Sequence, residues 1–115
     1  SAGMPPIFFY NSISNEIEEI VIQGMPLGAM KNFPYKVIEK EINSGDIILL
    51  LTDGLPEQMN VKEEMFDYSR VKSNFYSVSS NPPEEIINHL VAAGDDWMNG
   101  RLQDDDISFV VIRVK

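Results

Sequence analysis

The feature that most constrains this chain is the run Ile47-Ile48-Leu49-Leu50-Leu51-Thr52, preceded by Ser44-Gly45-Asp46 and followed by Asp53-Gly54. A short, unbroken aliphatic stretch between turn-forming residues predicts a strand buried on both faces. A second strongly apolar strand is predicted over residues 107–114, directly after Asp104-Asp105-Asp106. If the two run antiparallel as neighbours, the end of the first and the start of the second share one edge of a sheet. Adjacent strands lie about 4.8 Å apart, so Asp53 and the aspartate triplet would converge there. Repelling carboxylates at the rim of an apolar core are costly unless protonated or neutralised by a cation. With no cysteine and one histidine in the chain, oxygen-only ligands point to a hard ion such as Mg²⁺ or Mn²⁺. The residue pattern also leaves a plainer reading open, in which Asp53-Gly54 is a simple turn and the triplet a solvated strand cap.

Around these two strands the pattern is mixed. Ile7-Phe8-Phe9-Tyr10 predicts a strand, with a hairpin partner over 17–22. Gly24-Met25-Pro26-Leu27-Gly28 predicts a loop, and the weak alternation over 35–42 a half-exposed strand. A short helix is expected over 63–75, with Met65, Phe66, Val71 and Phe75 on one face. Ser80-Asn81-Pro82-Pro83-Glu84-Glu85 carries the signals of a helix start: a polar cap, prolines in the first turn and acids at the positive dipole end. Ile86, Ile87, Leu90, Val91, Trp97 and Met98 then mark an amphipathic helix closed by Asn99-Gly100. His89 is expected on its surface and Trp97 as a packing anchor. About five strands with one or two helices make an α+β class, with antiparallel sheets and flanking helices.

The 115 residues have room for one domain, and the hydrophobic fraction of 43% permits a core. A formal net charge of −9 opposes binding to nucleic acid or to anionic lipid. The absence of cysteine excludes a disulfide framework and thiolate chemistry. The longest apolar run is far too short to span a membrane. With no signal-peptide pattern at the start, a cytoplasmic location is expected, although an upstream segment could anchor a longer protein. The start itself, Ser1-Ala2-Gly3-Met4-Pro5-Pro6, lacks an initiator Met and reads as a piece of something longer.

Four segments carry a family resemblance. Residues 1–6 resemble the Asn-Ala-Gly-His-Pro-Pro segment of bacterial stage II sporulation protein E-type phosphatases, relatives of the metal-dependent type 2C protein phosphatases. Residues 24–28 match that family's Gly-x-Pro-Leu-Gly loop. Residues 45–57 are similar to Gly-Asp-x-Leu-Leu-Leu-Tyr-Thr-Asp-Gly-Leu-Thr-Glu, and residues 105–111 to the closing Asp-Asp-Ile-Thr-Leu-Val-Val. The four occur in family order across nearly the whole chain.

The resemblance implies a phosphoserine/phosphothreonine protein phosphatase that uses two Mn²⁺ or Mg²⁺ ions to activate a water, without a covalent enzyme intermediate. It assigns Asp53 and Asp105 as metal ligands, Gly54 as the residue that lets the backbone turn beside the metals, and Asp106 and Asp104 as neighbours. The implied substrate is a small phosphorylated regulator of the anti-anti-sigma-factor kind. The family's metal site also draws acids and an Asp-x-x-Gly loop from an N-terminal half that these residues lack. The chain is therefore expected to be the C-terminal part of one domain, a partial phosphatase β-sandwich, weak or inactive alone, with an open sheet edge through which it could dimerise. Met4, Pro56 and Asp67 stand where the family has His, Thr and a frequent Gly. A partner-binding module of the same fold without catalysis is the alternative.

Overall fold

A computed structural model of the chain describes residues 5–21, 40–103 and 106–115. Four strands, β1 (Ile7–Asn11), β2 (Glu16–Ile20), β3 (Ile47–Leu51) and β4 (Phe109–Arg113), form one sheet in the order β2-β1-β3-β4. Every pairing is antiparallel. Two helices, α1 (Asp67–Ser77) and α2 (Pro83–Met98), lie between β3 and β4 in the chain. Phe8, Tyr10, Ile47, Leu49 and Leu51 from the sheet pack with Leu55, Phe66, Val71, Phe75, Ile86 and Leu90 in one buried cluster. Each such aliphatic or aromatic side chain contributes about 1.5–3 kcal/mol on burial. The helices thus cover one face, which gives one layer of the expected sandwich.

The opposite face is only partly covered. Phe9 is buried there, with the Lys40 ammonium 4.7 Å from its ring centroid and paired to Glu18. Ile48 and Leu50 are half-buried, so β3 is fully buried on its helix side alone. Val110 and Ile112, on the outer strand β4, are exposed. Residues 40–42 carry no strand, and the rest of the expected 35–42 strand lies outside the described residues, as does Ile22 at the end of the expected hairpin. The hairpin itself forms, with Phe9 opposite Glu18.

The expected helix over 63–75 starts later, at Asp67. Residues 59–65 instead fold back on themselves, joined by a bridge between Met59 and Met65. Asn60 organises this turn: its Oδ1 accepts from the amides of Lys62 and Glu64, each at 2.9 Å, a local bond that competes with helix formation. Met65 is consequently exposed rather than part of an apolar face, whereas Phe66, Val71 and Phe75 are buried.

The second helix agrees better with its pattern. Ile86, Leu90, Gly94 and Met98 form its buried stripe at four-residue spacing, and it closes on left-handed Asn99 and Gly100. Val91, expected on the apolar side, is exposed because it lies a quarter-turn beyond that stripe. Its N-cap is Pro82 with no side-chain cap, so Ser80 and Asn81 do not play the expected role. Among the described residues no helix is long and apolar enough to cross a membrane.

Candidate metal centre

Strands β3 and β4 are antiparallel neighbours, with Leu51 opposite Phe109. The pairing continues past the strand ends: the Thr52 amide donates to the Ser108 carbonyl, and the Ser108 amide to Thr52 Oγ1, both at 3.1 Å. These bonds bring residue 53 and the segment around residue 106 to one edge of the sheet. Gly54 shows how close the approach is, since a Cβ there would lie 2.1 Å from the Asp106 carbonyl oxygen. Gly54 has no positive φ. Its glycine is required by the space Asp106 occupies, not by the sharp backbone turn expected from the sequence.

Asp53 is exposed and opens a compact turn in which the Glu57 amide donates to the Asp53 carbonyl at 3.0 Å. Asp106 is exposed as well, and its carbonyl lies 3.5 Å from the Thr52 hydroxyl that donates to it. Asp104 and Asp105 lie outside the described residues. The donors on hand are carboxylate and carbonyl oxygens, the kind that suit Mg²⁺ or Mn²⁺. Among the described residues no three acidic or imidazole side chains converge, so Asp53 and Asp106 could form only part of a coordination sphere.

The sequence reading missed Tyr68. Its hydroxyl donates to Asp53 Oδ1 at 3.3 Å. Burial, the negative charge of Asp53 and their hydrogen bond push the phenol up to about 12, so it stays protonated and donates. Fifteen residues separate the two in sequence, and no local pattern links them. What joins them is the path of the loop: the Phe66 amide donates to the Gln58 carbonyl at 2.8 Å and the Asp67 amide to the Pro56 carbonyl at 2.7 Å. These bonds seat the first turn of α1 against the Asp53 turn.

The arginines, Trp97 and His89 make mostly structural contacts. Arg70 stacks over Trp97 with 4.1 Å to the ring centroid and donates to the Met65 and Phe66 carbonyls. Trp97 packs edge-on against Phe66 and donates to the Gln58 and Glu64 carbonyls, an anchor for the 59–65 turn. Arg101 donates to the Asn60 carbonyl. Arg113 pairs opposite Ile47, at the far end of the sheet from Asp53. His89 is half-buried rather than on the surface, because α1 packs beside it and Asn74 Oδ1 lies 3.0 Å from its Nε2.

The fold has counterparts among solved structures. It aligns with the SiaA-PP2C domain of Pseudomonas aeruginosa at a TM-score of 0.80 and 21% identity, covering 99% of this chain and 44% of that one. The PP2C phosphatase domain of SpoIIE from Bacillus subtilis, in a structure that includes a fragment of its regulatory domain, aligns at 0.78 and 22%, covering 98% of this chain and 33% of that one. The fold is therefore that of part of a PP2C phosphatase domain.

The family description "Stage II sporulation protein E (SpoIIE)" matches residues 1–115. Phosphoserine phosphatase RsbU of Bacillus subtilis (strain 168) is 33% identical over 118 residues, covering all of this chain and 34% of RsbU. The chain belongs to the stage II sporulation protein E family, as its four motifs lead one to expect, and it spans about a third of the length of RsbU.

Proposed function

We propose that this chain supplies the C-terminal part of a metal-dependent protein phosphatase that hydrolyses phosphoserine or phosphothreonine on a regulatory protein. The observation that carries the reading is the close approach of Gly54 to the Asp106 carbonyl. It keeps residue 53 and Asp106 at one sheet edge. Asp53 and Asp105 would hold Mn²⁺ or Mg²⁺, with the Gly54 backbone and Asp106 beside them. Bound metal would supply an activated water and neutralise phosphoryl charge. This chain's own part is to place the carboxylates, to keep the edge rigid through the Thr52–Ser108 bonds, and to shield its rear with the α1–α2 layer. No side chain among the described residues is needed as a nucleophile in this reading.

The family membership and the likeness to RsbU support a phosphoprotein substrate, here a small phosphorylated regulator of the anti-anti-sigma-factor type in the cytoplasm. The net charge of −9 weighs against nucleic acid as a partner. The outer strands β2 and β4 support edge-to-edge dimerisation as a further element of the reading. The deciding experiment is Mn²⁺-dependent phosphate release from a phosphoserine peptide by the full natural polypeptide containing this chain, compared with its Asp53→Asn variant. Release that disappears in the variant is expected. Mn²⁺ binding without any release would overturn the catalytic reading and select the partner-binding module instead.

A further inference from the structure

Asp53 is an exposed carboxylate on a turn, and an exposed aspartate is free to rotate about its side-chain bonds. A metal ligand gains affinity when its orientation is set before the ion arrives, and hydrogen-bond partners of ligating carboxylates do that work. Among the described residues the Asp53 side chain accepts one hydrogen bond, from the Tyr68 hydroxyl to Oδ1. Among the described residues Oδ2 has no protein partner.

Tyr68 is itself well held. It is half-buried, packs against the core cluster, and has its ring centroid 6.5 Å from that of Phe8. Its amide donates to Asp67 Oδ1 at 2.7 Å. The Asp67 amide is in turn tied to the Pro56 carbonyl, three residues past Asp53. The phenol therefore rests on the strand β1 core and on the first turn of α1, both rigidly joined to the Asp53 turn. By contrast Tyr76, on the same helix, is exposed and meets Asn15 at the other end of the sheet.

We propose that Tyr68 is a positioning residue for the metal centre, orienting Asp53 by holding Oδ1 and leaving Oδ2 to the cation. The proposal rests on the metal-dependent reading given above. It does not make Tyr68 a catalytic residue, because the hydroxyl acts through Asp53.

The test uses the full natural polypeptide containing this chain, as wild type, Tyr68→Phe, Tyr76→Phe, Asp53→Asn and the Tyr68→Phe/Asp53→Asn double variant. Mn²⁺ affinity is read by titration calorimetry, and unfolding midpoint is read in chelator. Phenylalanine keeps the ring packing and removes the hydroxyl alone. The expected result is Mn²⁺ binding about ten-fold weaker in Tyr68→Phe, an unchanged affinity in Tyr76→Phe, and metal-free midpoints close to wild type. In the Asp53→Asn background, removing the hydroxyl should produce no further loss of affinity. Wild-type affinity in Tyr68→Phe, with binding lost in Asp53→Asn, overturns the proposal and leaves the metal reading standing. An equal loss in both backgrounds also overturns it, since the hydroxyl would then act independently of Asp53. Absence of Mn²⁺ binding in the wild type removes the metal reading and this proposal together.

Discussion

At one end β3 is preceded by Gly45-Asp46, and at the other it is followed by Asp53-Gly54. The two aspartates flank the same strand and each adjoins a glycine in a turn, yet their surroundings differ completely. Asp46 is buried, and its carboxylate accepts from the Ser12 amide and hydroxyl, each at 2.8 Å, and from the Asn43 amide at 2.7 Å. Asp53 is exposed and accepts one long bond from Tyr68. The glycines differ in parallel. Gly45 is needed for its φ of +92°, and Gly54 for the room taken by Asp106. A carboxylate whose lone pairs are filled by protein donors is a structural clamp. One left largely open at a backbone junction is available to an external cation.

The largest test of that contrast is Asp46→Ala. Removing the carboxylate strands the Ser12 and Asn43 amides and should cost about 3 kcal/mol in denaturant unfolding, with or without Mn²⁺. The pH dependence follows from the same site. Burial raises the Asp46 pKa, but the amide and hydroxyl bonds, with Lys40 nearby, outweigh it and hold the group below its usual 3.8. The unfolded state therefore binds more protons in that range, and stability rises with pH. The contribution is complete above the unfolded value and is lost as pH falls through the lower folded one. Asp46→Ala should flatten that acid limb of the stability profile.

Next in size is Gly54→Ala. A Cβ against the Asp106 carbonyl forces backbone apart, at about 2 kcal/mol, and should weaken Mn²⁺ binding together with stability. A flat response would mean the edge is not closed as described. Smaller again is the pair Asp67→Gly and Asp67→Ala. Asp67 has a φ of +71°, which explains why the resembling family often has glycine there. Glycine should be more stable than alanine at this position by about 1 kcal/mol, the reverse of their ranking inside helices, as read from the two melting midpoints. Least affected should be the stability of Asp53→Asn, within about 0.5 kcal/mol of wild type. A large loss there would make Asp53 a second clamp and erase the contrast with Asp46.

Much of this fold was legible from local pattern. The aliphatic run of β3 and the aromatic run of β1 mark strands of the core, although β3 is fully buried on its helix side alone, and the four-residue stripe of α2 encodes its buried face. The start of α1 was not legible, because Asn60 Oδ1 and the positive φ values of Glu63 and Asp67 override a helical-looking composition. His89 was misjudged for a related reason. Helical spacing reports which side of one helix is apolar, not that a second helix will lie across its flank.

For the site, the sequence made the convergence conditional on the two strands being antiparallel neighbours, and the structure meets that condition, bringing residue 53 and Asp106 to one edge. Neighbouring residues in the chain could not distinguish Asp46 from Asp53. The donors that fill Asp46 include Ser12, 34 residues away, and the hydroxyl that steadies Asp53 comes from a helix that reaches it only after a folded turn. Which carboxylate is consumed by the protein and which stays open depends on contacts between distant segments, and such contacts exist only once the chain has packed.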